Sequence, residues 1–185
     1  MNLANKITIA RIILIPFFIA AIIYSRKDIA LAIFILAITT DGIDGFIARS
    51  MKQKTRFGTI IDPVADKLLL VSAYICLSIS ASIPQEFRMP PYVLIAVISR
   101  DAIIVLGSIM VHMITGDLKV SPSIIGKLTT FFQMITIVSV LAQFKYSYIV
   151  WNAAIALTMA SGIDYVVKGS KLLTENHSVL KRSGG

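Results

Sequence analysis

The stretch Asp41-Gly42-Ile43-Asp44-Gly45-Phe46-Ile47-Ala48-Arg49, followed after eight residues by Gly58 and then by Asp62-Pro63-Val64-Ala65-Asp66, decides how this chain is read. Four carboxylates fall within these 26 residues, inside or beside apolar sequence. An Asp at the centre of a bilayer costs about 2.5–3.5 kcal/mol, so apolar helices normally exclude it. Asp41 and Asp44 are three apart, and Asp62 and Asp66 are four apart. Both spacings place the two side chains of a pair on one helical face. Antiparallel packing of the two helices, joined by a short basic loop, would bring all four acids together.

Like charges so close repel unless protons or cations neutralise them. Oxygen-only ligands favour hard ions, Mg2+ or Mn2+ in particular. Four carboxylates suffice for two such ions, an arrangement that clamps phosphate oxygens in displacement reactions. His112 and His177 lie far from the acids in sequence, which disfavours a zinc site. The competing explanation is charge pairing that fixes helix packing, with Asp62 against Arg56 or Asp66 against Lys67. Gly42, Gly45, Ala48 and Gly58 are small and admit close approach of a ligand or a neighbouring helix. Arg49 offers a planar donor suited to a diphosphate, or else a topology charge. Pro63 removes a backbone donor and is expected to bend its helix.

Outward from this stretch the chain is apolar nearly throughout. Of its 185 residues 56% are hydrophobic and 15% charged, against roughly 25% charged in ordinary soluble domains. Mean hydropathy is +0.81. This composition excludes a soluble globular domain, a disordered chain and a disulfide scaffold. The lone Cys76 has no internal partner for a disulfide. Apolar segments are expected near 7–24, 29–48, 59–82, 91–115, 123–144 and 146–167. Pro90-Pro91 opens the fourth, Ser121-Pro122 opens the fifth, and Gly169 ends the sixth. The expected fold is therefore all-α: a polytopic membrane protein of six transmembrane helices. Residues 1–169 form the membrane domain and 170–185 a polar tail. Arg11 within the first segment argues against a signal peptide.

The net charge of +8 fits loops better than nucleic acid. Arg49, Lys52, Lys54 and Arg56, then Lys119 and Lys127, then Lys168, Lys171, Lys181 and Arg182 gather on one side. That places both termini in the cytoplasm. A second polar set sits on later segments: Arg100 and Asp101, Lys127, Thr129, Thr130 and Gln133, and Asp164. Arg100 and Lys127 suit an acceptor bearing a phosphate. The alternative is pairing of Arg100 with Asp101, or of Lys127 with Asp164.

The central stretch spells D-x2-D-G-x2-A-R-x8-G-x3-D-x3-D and resembles the signature of the CDP-alcohol phosphotransferases at every specified position. Asn5, Thr8 and Arg11 resemble the N-x2-T-x2-R opening of many members, so the resemblance covers essentially the whole chain. It implies a metal-dependent transferase that moves a phosphatidyl group from CDP-diacylglycerol to an alcohol and releases CMP. By motif position, Asp41, Asp44, Asp62 and Asp66 would hold two divalent ions, and Asp66 would also be the general base. Gly45, Ala48 and Gly58 would line the cytidine pocket, and Arg49 would meet the diphosphate. Asn5, Thr8 and Arg11 would lie near the nucleotide phosphates. It also implies a homodimer, with the site at the cytoplasmic face of a bacterial inner membrane.

Within the family, Gly126-Lys127 with Gln133, and Ser161-Gly162 with Tyr165, resemble members that use glycerol 3-phosphate and make phosphatidylglycerophosphate. The Ser99-Arg100-Asp101 triplet departs from the Arg-Glu common there. With Lys127 and Gln133 it is also similar to cardiolipin synthases, whose acceptor is phosphatidylglycerol. Glycerol 3-phosphate is the favoured acceptor. A membrane prenyltransferase would carry a different Asp pattern on a longer chain. A cation channel or transporter would place its acids along a pore rather than beside a basic loop.

Overall fold

A computed structural model of the chain describes residues 3–50, 56–115 and 124–183, with side chains over 9–40, 65–107, 109–110, 113 and 124–170. The described residues form six α-helices: α1 (Leu3–Ile23), α2 (Lys27–Ser50), α3 (Arg56–Ile79), α4 (Pro91–Thr115), α5 (Ile124–Leu141) and α6 (Ser147–Ser183). Ser121-Pro122, read as the start of the fifth segment, lies outside the described residues, as do the loop residues Lys52, Lys54 and Lys119.

Two tight turns set the antiparallel pairs. After α1, Ser25 N–H donates to the Ile22 carbonyl and Arg26 N–H to that of Ala21. After α5, Gln143 N–H donates to Val140 and Phe144 N–H to Ser139 in the same pattern. Both are Schellman closures, in which the residue just past the helix turns left-handed and two late carbonyls gain donors. Ser25 (φ 58°) and Gln143 (φ 52°) take that place without being glycine. The turns are short, so α1 lies along α2 and α5 along α6.

The sixth helix departs from expectation. It continues past Gly169 to Ser183. Gly169 keeps a helical backbone, and a Cβ there would meet no atom within 4 Å. Glycine ends a helix when the chain turns left-handed at it, and here nothing forces the turn.

α1 packs on both α2 and α3, α4 packs on α6 and α3, and α5 reaches α2 and α3 as well as α6. The shared core centres on Phe18, Phe34, Leu70, Tyr74, Leu77 and Ile137, each at most 2% exposed. Tyr74 is wholly buried, and its hydroxyl donates to the Gln133 backbone carbonyl at 3.2 Å, which ties α3 to α5. Gln133 Nε2 lies 3.4 Å from Thr158 Oγ1, and Thr129 Oγ1 lies 3.0 Å from the Leu157 carbonyl, which ties α5 to α6. A buried hydroxyl or amide needs such partners, because an unmade hydrogen bond costs about 1–3 kcal/mol. On α4, Gly107 leaves room for Tyr165 of α6, whose Cε1 would stand 2.8 Å from an added Cβ.

Among the described residues, two helices are long and apolar enough to cross a membrane: Ile124–Leu141 and Ser147–Ser170. Ile9–Ile23 is apolar but shorter.

Candidate active site

The candidate site lies along α3, which packs on α1 and on α4, with α6 packed in turn on α4. Asp66 stands near the middle of α3, and its carboxylate accepts from the guanidinium of Arg11 on α1. Arg11 is buried, with its side chain 4% exposed, and that of Asp66 is 32% exposed. The arginine thus acts from inside the protein on a carboxylate that still reaches the surface. The pairing has a simple cause. A guanidinium buried among apolar side chains must find an anion, and Arg11 lies on the α1 face that packs against α3.

Lys67 follows Asp66 by about 100° around the helix, so it faces a different neighbour. Its Nζ lies 2.5 Å from Asp101 Oδ2 on α4. The other oxygen, Oδ1, accepts from Arg100 Nη1 at 2.8 Å. Arg100 Nη2 donates to Ser161 Oγ on α6, also at 2.8 Å. A continuous chain of charge and hydrogen bonds therefore runs from α3 through α4 to α6. Arg100 and Asp101 are buried. Arg100 Nε is also buried and has no hydrogen-bond partner among the described residues.

These partners replace two of the pairings offered as alternatives and support a third. Asp66 pairs with Arg11 rather than with Lys67, because adjacent residues on a helix point apart. Asp164 accepts from Lys168 at 2.8 Å, one turn along its own helix, rather than from Lys127. Arg100 does pair with Asp101. Lys127 is exposed on α5 and stands outside the chain that includes Arg100.

The remaining sequence-derived residues fall on the same elements. Asn5 and Thr8 lie on α1; Asp41, Asp44, Gly45, Ala48 and Arg49 lie in the C-terminal half of α2; Arg56, Gly58 and Asp62 lie in the first turns of α3. Their side chains lie outside the described ones. The described residues contain no group of three or more metal-ligating side chains. The four acids expected as donors are all carboxylates, with Asp66 partly exposed, and such a set would suit a hard divalent ion rather than zinc.

Sequence reasoning missed the roles of Lys67 and Ser161. The sequence offers Lys67 only as a neighbour of Asp66. An available signal was Asp101, an acid within an apolar helix that needs more than one donor to be stable there.

The described bundle thus sets two buried guanidinium groups against carboxylates, Arg11 against Asp66 and Arg100 against Asp101. Comparison with known proteins gives the family. The CDP-alcohol phosphatidyltransferase family model matches residues 1–160. A CDP-diacylglycerol--glycerol-3-phosphate 3-phosphatidyltransferase of Haemophilus influenzae is 35% identical over 181 residues, covering 92% of this chain and 96% of the relative. The protein of that name from Bacillus subtilis is 32% identical, covering 93% and 97%. A probable phosphatidylglycerophosphate synthase of Mycobacterium tuberculosis is 34% identical, covering 90% and 81%. The chain belongs to the CDP-alcohol phosphatidyltransferase family and is an enzyme of that type.

Proposed function

We propose that this chain transfers the phosphatidyl group of CDP-diacylglycerol to glycerol 3-phosphate, forming phosphatidylglycerophosphate and releasing CMP. The observation that carries this reading is near-full-length similarity to relatives named for that donor and acceptor, together with the complete acidic signature of 41–66. Cardiolipin synthesis, with phosphatidylglycerol as acceptor, is not favoured by those relatives.

In the proposed reaction a hydroxyl oxygen of glycerol 3-phosphate attacks the phosphatidyl phosphorus. A new P–O bond forms as the bond to the CMP phosphate breaks. Asp66 takes the hydroxyl proton, and Arg11 holds its carboxylate in place. Arg49 binds the diphosphate, with Asn5, Thr8 and Arg11 near the nucleotide phosphates. Gly45, Ala48 and Gly58 leave room for the cytidine. Arg100 and Lys127 face the acceptor phosphate. Asp41, Asp44, Asp62 and Asp66 would hold two divalent ions, Mg2+ or Mn2+, whose bound charge stabilises the departing CMP.

The same reading places all six helices across a bacterial inner membrane, with both termini and the site at the cytoplasmic face. Apolar side chains exposed on the outer faces, among them Phe17, Leu36, Leu106, Met113, Phe131 and Ile163, support a lipid environment. At 1.5 Å per residue, helices of 18 to 25 residues are about 27–38 Å long, which matches a hydrocarbon core of roughly 30 Å. In this reading 1–169 is the membrane domain, the end of α6 carries the polar tail 170–185 out of it, and the enzyme works as a homodimer.

The test is a panel of acceptors. Purified protein receives CDP-diacylglycerol with glycerol 3-phosphate, phosphatidylglycerol, inositol phosphate or serine, and CMP release is followed. Release with glycerol 3-phosphate is expected. Release with phosphatidylglycerol alone would overturn the proposal.

A further inference from the structure

Asp101 is shared between two cations from different helices. Lys67 Nζ meets Oδ2 at 2.5 Å, and Arg100 Nη1 meets Oδ1 at 2.8 Å. Ser161 Oγ accepts from the other terminal nitrogen of Arg100 at 2.8 Å. Two cations and one carboxylate leave this set with a net positive charge. It is graded in depth: the side chains of Arg100 and Asp101 are 8% and 11% exposed, and that of Lys67 is 38% exposed. It therefore opens outward at Lys67, the residue beside Asp66. Arg100 Nε, buried and without a partner among the described residues, is a donor still owed an acceptor atom. A net positive set, open at the Lys67 end and with a donor to spare, fits a phosphate ester.

We propose that Asp101 is a positioning residue that holds Lys67 and Arg100 side by side as a two-cation cradle for the phosphate of the acceptor alcohol. This rests on the reading that the acceptor carries a phosphate, and it adds Lys67 to Arg100 as a ligand. Left to themselves the two cations repel, and the flexible lysine stem swings towards solvent. One carboxylate between them fixes their separation before substrate arrives, which lowers the ordering cost of binding. Ser161 holds the far side of the guanidinium and stops it from turning.

The sign of one measurement separates positioning from simple charge. Removing a carboxylate beside an anion site makes the local field more positive, so charge alone predicts a lower KM for glycerol 3-phosphate. Positioning predicts a higher one. Full-length Asp101→Asn, Asp101→Glu and Lys67→Met are compared with wild type in detergent, varying each substrate in turn. Expected are a rise of about tenfold in the glycerol 3-phosphate KM for Asp101→Asn and Lys67→Met, with the CDP-diacylglycerol KM within about twofold, and partial recovery in Asp101→Glu. A lowered or unchanged acceptor KM overturns the proposal. So does an equal rise in both KM values with a lowered unfolding temperature, which would mean that the set only ties helices together. If Asp101→Asn does not fold, Asp101→Glu carries the positioning test, since it keeps the charge but moves the carboxylate: charge alone predicts an unchanged acceptor KM and positioning a raised one.

A second measurement is independent of turnover. With CMP present at saturation, inorganic phosphate is expected to raise the unfolding temperature of wild type and to lose that effect in Lys67→Met. Lost phosphate binding in the variant, together with no wild-type turnover of glycerol 3-phosphate, would overturn the acceptor assignment and keep the cradle. Wild-type turnover with phosphate binding unaltered in the variant would overturn the cradle alone.

Discussion

The guanidinium of Arg11 on α1 donates to the carboxylate of Asp66 on α3, 55 positions further along the chain. One residue on, Lys67 turns to Asp101 on α4. Adjacent side chains of α3 thus connect the two sides of the proposed site, the nucleotide side through α1 and the acceptor side through α4 and α6.

The first of these contacts predicts a graded response. Arg11→Ala is expected to lower the rate of CMP release by about 100-fold, because it leaves Asp66 without a fixed orientation. Arg11→Lys keeps the charge but loses the planar fork, so its rate should fall between the two. Steady-state assay of purified protein measures both. Equal rates for Arg11→Ala and wild type would contradict an orienting role.

Asp66→Asn is nearly the same size as the native residue and still accepts a hydrogen bond from Arg11. It cannot take a proton from the acceptor hydroxyl. Loss of about 100-fold or more in CMP release is expected, with thermal unfolding close to that of wild type. Wild-type turnover in this variant would remove Asp66 as the base.

Chelation tests the carboxylate set. EDTA should abolish transfer, and Mg2+ or Mn2+ should restore it, because four acids gathered as proposed would need cations to offset their repulsion. Asp41→Asn and Asp62→Asn should each raise the Mg2+ concentration needed for half-maximal activity. Turnover that persists in EDTA would exclude a required divalent ion.

The contact between α4 and α6 predicts a stability effect away from the chemistry. A Cβ at Gly107 would stand 2.8 Å from Tyr165 Cε1. Gly107→Leu is expected to cost about 1–3 kcal/mol, the range for an overpacked contact. Tyr165→Ala in the same chain should return part of that loss. Thermal unfolding in detergent measures it, and additive losses in the double variant would show that the two positions do not compete for space.

Much of this protein is determined by sequence alone. The spacing of Asp41, Asp44, Asp62 and Asp66, with Arg49 and Gly58 between, is local information that identifies the family without coordinates. The six helices are legible for the same reason: apolar runs and Pro90-Pro91 act within a few residues. Helix ends were less legible. Ser25 and Gln143 close their helices left-handed although neither is glycine, because the hydrogen bonds gained there offset a conformational cost of roughly 1–2 kcal/mol. Gly169 does not stop α6, because no turn follows it.

Only the tertiary structure decided which cation meets which acid. The nearest candidate in sequence lost in two cases: Asp66 took Arg11 rather than Lys67, and Lys67 took Asp101. Helical periodicity fixes the direction in which a side chain leaves its own helix, but not which helix lies across from it. That depends on packing of the apolar core around Phe18, Tyr74 and Ile137. This packing sets α1 and α4 against α3 and so selects the partners of Asp66 and Lys67.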